Sequence, residues 1–252
     1  MRKSQFLSVY LFLLLMISVN IAQDFEQEQR RFPRVRASFT EKESKVKALF
    51  DTAHLSFPPT KIYIRIYKFE QKLELWATET SQDTFKLVAR YNFCSSSGHL
   101  GPKRQQGDFQ IPEGFYHIDR FNPTSNFYLS LGINYPNASD KILGNKESLG
   151  GDIFIHGDCV TIGCVPITDD KIKELYIIAV KSKANGQKKI PVHIFPFDFT
   201  HLKTKDFIHR NEFYKKQQAF WEDLEKGHAF FEQTHKLPKI RVDISGHYTF
   251  SK

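Results

Sequence analysis

The chain has 252 residues, 40% of them hydrophobic and 14% aromatic, with a formal net charge of +8. This length suits one domain with an appendage, and the apolar content supplies a large core. The positive charge is not gathered into one arm and no RNA- or DNA-binding pattern accompanies it, so nucleic acid is not an expected partner and the charge reads first as solubility.

In chain order, Arg2 and Lys3 open a basic start, an apolar run follows from Phe6 to Val19, and small or polar residues appear at Asn20, Ala22 and Gln23. That order is a secretory signal over residues 1–22. The apolar core is short of the roughly 20 residues that span a bilayer, and no later run is long enough, so no membrane span is expected after its removal. No cysteine follows the run, which argues against a lipid-modified start. Residues 23–59 read as an N-terminal lead-in. Residues 24–45 are polar, with Arg30, Arg31, Arg34 and Arg36, and are expected to be flexible. A short helix is predicted over Lys45–Leu55.

From Lys61 the period changes. Ile62, Ile64 and Ile66 alternate with Tyr63, Arg65 and Tyr67, which predicts a strand. Leu73–Trp76 and Phe85–Ala89 predict two more in a meander. Loop residues dominate from Ser95 to Gly114, then short strands are predicted at Phe115–Ile118 and Phe127–Ile133 around a turn at Asn122–Asn126. Ile153–His156 reads as a strand ending at Gly157. Thr168 is a helix N-cap with Asp169 and Asp170 in the first turn, and Ile172, Leu175, Tyr176 and Ala179 give the helical face. Asn185-Gly186 stops it. Ile190–Phe195 is a strand, a long helix is predicted over Asn211–His235, and Ile240–Ile244 is a last strand. No internal repeat or low-complexity tract is present.

The informative stretch is Ile153–Thr168, in which His156-Gly157 precedes Gly163-Cys164 by a few residues. A thiol of ordinary pKa, about 8.5, supplies little thiolate at neutral pH, and an adjacent imidazole removes its proton and forms an ion pair. Glycines let the backbone pass close to a substrate carbonyl, so the amides of Gly157, Gly163 and Thr161 are candidate oxyanion donors. Ordinary turn roles for the glycines, and a local hydrogen-bonding role for Thr161, are the plainer readings. Tyr116 and His117 suit core or surface, and His99 is a weaker site candidate. There are three cysteines, so they cannot all pair, and an odd cysteine in an exported chain suggests a reactive thiol or an intermolecular bond. Cys159 either pairs with Cys94 or stays a free neighbour of Cys164.

Several motifs occur together in a recognisable order: Gly101-Pro102-Lys103, Gly107-Asp108, Pro112-Glu113-Gly114-Phe115-Tyr116, Asn122-Pro123-Thr124-Ser125, Ser130-Leu131, and the His156-Gly157 and Gly163-Cys164 pairs. Over residues 60–200 the chain resembles L,D-transpeptidase (YkuD) catalytic domains, and within them the YafK-like branch. The resemblance implies a mostly β, α+β fold, an L,D-transpeptidase-like β-sandwich or barrel with flanking helices, with residues 201–252 as a C-terminal helix and strand packed on it. It implies Cys164 as nucleophile and His156 as base, no cofactor and no metal. The implied partner is a peptidoglycan stem peptide or a wall-attached protein, met by a monomer exported to the periplasm or cell envelope. Two departures stand out: Ile162 replaces a second family histidine and Pro166 replaces a family arginine. They leave open whether an amine or water accepts the acyl group, so an L,D-hydrolase or amidase is the alternative. Two non-enzymatic readings remain: a zinc module built from His156, Cys159, Cys164 and Cys94, and a silent wall-binding domain.

Overall fold

The structure is a computed structural model, described for residues 25–79 and 84–251; the expected signal segment lies outside these residues. Eight strands form one mixed sheet. They are β1 (Lys61–Tyr67), β2 (Lys72–Thr78), β3 (Lys86–Asn92), β4 (Gly114–Asn122), β5 (Ser130–Ile133), β6 (Phe154–His156), β7 (Val165–Pro166) and β8 (Pro191–Phe195). Their spatial order is β3-β2-β1-β8-β4-β5-β6-β7. The β1/β8 and β6/β7 pairs are parallel and the rest antiparallel. A separate two-stranded sheet joins β9 (Lys239–Val242) to β10 (Tyr248–Ser251). The fold is therefore mixed α+β, with helices on both sides of the large sheet.

The alternation in β1 explains the layers, because successive side chains point to opposite faces. Ile62, Ile64 and Ile66 pack with Leu73 and Leu75 against α1 (Pro33–Thr52) and α3 (Asp169–Ala184). On the other face, Tyr63 meets Trp76, Phe85 and Phe231, and Tyr67 meets Phe195 and Leu224. Phe231 and Leu224 lie on α5 (Gln218–Thr234), so both faces of β1 are buried. The buried face of Arg65 is neutralised by Glu74, 2.7 Å away, and by Glu232.

The N-terminal lead-in is not a flexible arm with a short helix. α1 runs 20 residues and buries Val35, Phe39, Val46 and Phe50. These apolar positions are thinly spread among Lys, Arg and Glu, which lowers the mean hydropathy, yet their spacings of four, seven and four fall on one helical stripe. Burying four such side chains contributes on the order of 6–12 kcal/mol before entropy is set against it. Arg34 on this helix also donates to Ser125 O at 2.6 Å and to Tyr128 O at 2.8 Å, tying down the loop before β5. That loop replaces the early half of the strand expected over Phe127–Ile133.

α3 follows its sequence signals: Thr168 caps it, Asp169 and Asp170 fill its first turn, and Asn185 closes it. The long helix expected over Asn211–His235 is divided into a 3-10 helix (Glu212–Gln217) and α5, with Asn211 Oδ1 accepting from Phe213 N. Sequence periodicity had not indicated α2 (Ala138–Leu143), α4 (Leu202–Arg210) or β10. Among the described residues no helix is long and apolar enough to cross a membrane.

Candidate active site

β6 and β7 lie at one end of the sheet and carry the site. In their parallel register Ile155 pairs with Val165 and His156 with Pro166. Ile155 and Val165 face the core beside Ile172 of α3. Continuing that register by one residue sets Cys164, just before β7, opposite Phe154, two positions before His156, and Cys164 Sγ accepts from Phe154 N at 3.4 Å. No hydrogen bond joins the two side chains among the described residues. The structure thus places Cys164 just before β7, at one end of the β6/β7 pair, and His156 at the other end of β6.

His156 is 1% exposed. Phe127 covers its ring at 4.7 Å between centroids, and Arg34 anchors the loop that carries Phe127. The Nδ1 atom meets the carbonyl oxygen of Gly157. A carbonyl can only accept, so Nδ1 carries the hydrogen and Nε2 is left with its lone pair. Burial lowers the His156 pKa below its ordinary value, outweighing the Gly157 bond and the Asp158 charge. The ring is accordingly neutral at pH 7, in the tautomer that can accept a proton at Nε2.

Cys164 is the free cysteine, since Cys94 and Cys159 form a disulfide with Cα atoms 5.3 Å apart. This settles the open question about Cys159 and braces the His156–Cys164 loop against the chain after β3. It also removes two of the four ligands of the zinc alternative, and no cluster of three or more His, Cys, Asp or Glu that could hold a metal occurs among the described residues. Burial raises the Cys164 thiol above its ordinary value; the Phe154 N–H, 3.4 Å from Sγ, and the more distant Lys103 pull the other way. Both shifts favour a neutral thiol beside a neutral imidazole. Both directions run against the resting thiolate–imidazolium pair expected from sequence.

The turn holding Cys164 is built by Thr161, whose hydroxyl accepts from Cys164 N at 2.8 Å and Gly163 N at 3.2 Å and donates to Cys164 O at 2.8 Å. Gly163 adopts a φ of +134°, and a Cβ there would sit 3.1 Å from Gln110 O. Gly157 is needed for close approach: a Cβ would collide with the Asp169 carboxylate and come within 2.9 Å of Phe127 O. The amide of Gly157 is committed to Leu129 O at 3.2 Å. Of the three oxyanion candidates, only the Thr161 N–H has no acceptor among the described residues. The Gly157 and Gly163 amides are occupied in the free chain, and this corrects their assignment as open donors.

Several neighbours were not singled out from sequence. Asp152 O lies 3.7 Å from Cys164 Sγ. Gln110 O abuts Gly163, on a segment that Lys103 and Asp108 close by a 2.6 Å ion pair. Phe127 was read only as part of a strand. The turn read at Asn122–Asn126 is the sequence signal next to this loop. His99 packs near Phe213, Tyr116 donates to the buried Asp140, and His117 lines a different cavity.

A fold of helices on both faces of a mixed sheet, with a histidine at the end of one strand and a free cysteine in the turn before its parallel neighbour, defines a candidate cysteine-nucleophile site. The family model of the L,D-transpeptidase catalytic domain (YkuD) matches residues 61–194, and the chain belongs to that family. It is 39% identical over 193 residues to the putative L,D-transpeptidase YafK of Escherichia coli K12, covering 76% of this chain and 74% of that protein. The same figures hold for the YafK of Escherichia coli O157:H7. Similar solved structures include the helical cell shape determining protein Pgp2 of Campylobacter jejuni, 18% identical over 73% of each chain with a TM-score of 0.44. Another is Bd1075 of Bdellovibrio bacteriovorus, 19% identical over 75% of this chain and 79% of that one, with a TM-score of 0.40.

Proposed function

We propose that the chain is an exported cysteine acyltransferase of the cell envelope that acts on peptidoglycan stem peptides, with Cys164 as nucleophile and His156 as general base. The observation that carries this reading is the free Cys164 thiol bonded to the backbone of β6, the strand that ends in His156, whose Nε2 has no hydrogen-bond partner among the described residues. Family membership supports the reaction class.

In this reading the substrate seats a peptide carbonyl between the two side chains. His156 Nε2 takes the thiol proton as Sγ forms its bond to the carbonyl carbon of the L-centred residue, typically meso-diaminopimelate. The Thr161 N–H is the open donor for the developing oxyanion. The C–N bond to the terminal D-amino acid then breaks, and the imidazolium returns its proton to the leaving amine. An amine acceptor attacks the thioester, His156 removes its proton, and Sγ leaves and is reprotonated. Burial shifts both groups toward their neutral forms, and this reading accordingly places proton transfer in the chemical step.

The test is chromatography with mass detection of products from a disaccharide tetrapeptide. The wild type should release D-alanine and form an exchanged, crosslinked or hydrolysed product. Cys164→Ala should form none, and His156→Ala should be slower by orders of magnitude. Near-normal turnover by either variant removes that residue from its role. The product ratio with and without an added amine reads the acceptor.

A further inference from the structure

A cleft of about 580 Å³ lies between the β4/β8 region of the large sheet and the β9–β10 hairpin, within the usual size range of small-molecule sites. Neither Cys164 nor His156 lines it. Its apolar wall includes Phe115, Pro191 and Ile240. Phe115 lies directly across the antiparallel pair from His193.

His193 also lines the cleft and is 3% exposed, with its ring 4.8 Å from Phe115 and 4.6 Å from Tyr63 between centroids. These are ring-edge contacts, and the imidazole nitrogens have no hydrogen-bond partner among the described residues. A ring held by aromatic edges while lining a cavity keeps its nitrogens for what enters that cavity. Burial pushes the His193 pKa down to about 3, so the ring is neutral and offers one donor and one acceptor.

The charge of the lining is one-sided. Lys189 and Arg241 border the cleft, and neither is in an ion pair among the described residues. No aspartate or glutamate is among the described lining residues. Two unpaired cations, a neutral imidazole donor and an apolar wall match a ligand with a carboxylate at one end and an apolar body.

We propose that this cleft is a second ligand site that takes the carboxylate end of a peptide, with Lys189 and Arg241 holding the anion and His193 bonding to the ligand from the wall. The site does not depend on acyl transfer at Cys164, so either reading can fail without the other.

The mature chain carrying Cys164→Ala and labelled with 15N is titrated with N-acetyl-L-alanyl-D-alanine and with the C-terminal amide of the same dipeptide. Long-range 15N–1H spectra read the His193 imidazole directly. The acid should shift the His193 ring nitrogens and the amide should not. Lys189→Gln and Arg241→Gln should each weaken binding of the acid roughly tenfold, as loss of a charge-assisted bond does. Equal binding of acid and amide overturns the proposal. So does unchanged affinity in the Lys189→Gln/Arg241→Gln double variant. Shifts confined to residues around position 164, or no binding at millimolar peptide, overturn it as well.

Discussion

Replacing Lys68 with methionine should destabilise the protein by about 3–5 kcal/mol, the scale for removing one partner of a buried ion pair. The Lys68 ammonium donates to Gly101 O at 2.7 Å and Ile111 O at 2.8 Å, and lies 3.0 Å from Glu113 Oε1. Glu113 is fully buried, and its other bonds come from Gly101 N and Trp221 Nε1, both at 2.7 Å. Methionine fills much of the same volume but leaves the carboxylate without a countercharge and two carbonyls without a donor. Burial already holds the Lys68 pKa below its ordinary value against the pull of Glu113, which shows how strongly the site resists charge. The segment between Gly101 and Ile111 includes Gln110, whose carbonyl abuts Gly163 next to the nucleophile. Turnover should therefore fall together with stability. Urea unfolding of the wild type, Lys68→Met, Glu113→Gln and the double variant closes a mutant cycle. The double variant should recover at least about 1 kcal/mol relative to Lys68→Met, because it no longer buries a lone charge. A loss under about 1 kcal/mol in Lys68→Met, with no coupling to Glu113, would refute the reasoning.

Three further outcomes follow from the site. Thr161→Val removes the oxygen that serves two amides and one carbonyl of the Cys164 turn; it should cost about 2–3 kcal/mol in denaturant unfolding, with Thr161→Ser close to the wild type. Reducing the Cys94–Cys159 bond, which spans 65 residues, should cost about 4 kcal/mol by loop entropy and increase hydrogen exchange across residues 157–163; unchanged exchange there would mean that the bridge does not brace the loop. The free-enzyme pH profile carries a sign that can be checked. Since burial lowers His156, activity should be present above its pKa and lost only as pH falls below 6.5. Since burial raises Cys164, its alkylation by iodoacetamide should have a midpoint above 9.0, nearly unmoved in His156→Ala. A midpoint near neutrality that rises in His156→Ala would restore the resting ion pair.

What could be seen in the sequence was mostly local. The Ile62–Tyr67 alternation and the Thr168-Asp169-Asp170 start of α3 are short-range patterns, and the structure keeps both. The His156 and Cys164 positions were legible because they sit in one continuous stretch. Their relation was less legible: the two-residue strand β7 has too few residues to show a period, yet its parallel pairing with β6 brings Cys164 beside Phe154. α1 was misjudged because its composition resembles a solvated arm, whereas four apolar residues on one stripe meet a partner surface that sequence does not display. The cover that Phe127 gives His156, and the hold of Arg34 on that loop from more than 90 positions away, arise from tertiary contact alone. The charge states followed the same logic. Residue types suggested a thiolate beside a cation, but burial depth determines both shifts, and only the fold supplies burial.

The most direct test is the intact mass of the mature protein after brief mixing with a disaccharide tetrapeptide, followed by peptide mapping of the quenched sample. The account expects a thioester adduct on Cys164 equal to the substrate less its terminal D-alanine, absent in Cys164→Ala and slow to form in His156→Ala. An adduct on another residue, or full turnover by Cys164→Ala, would contradict it.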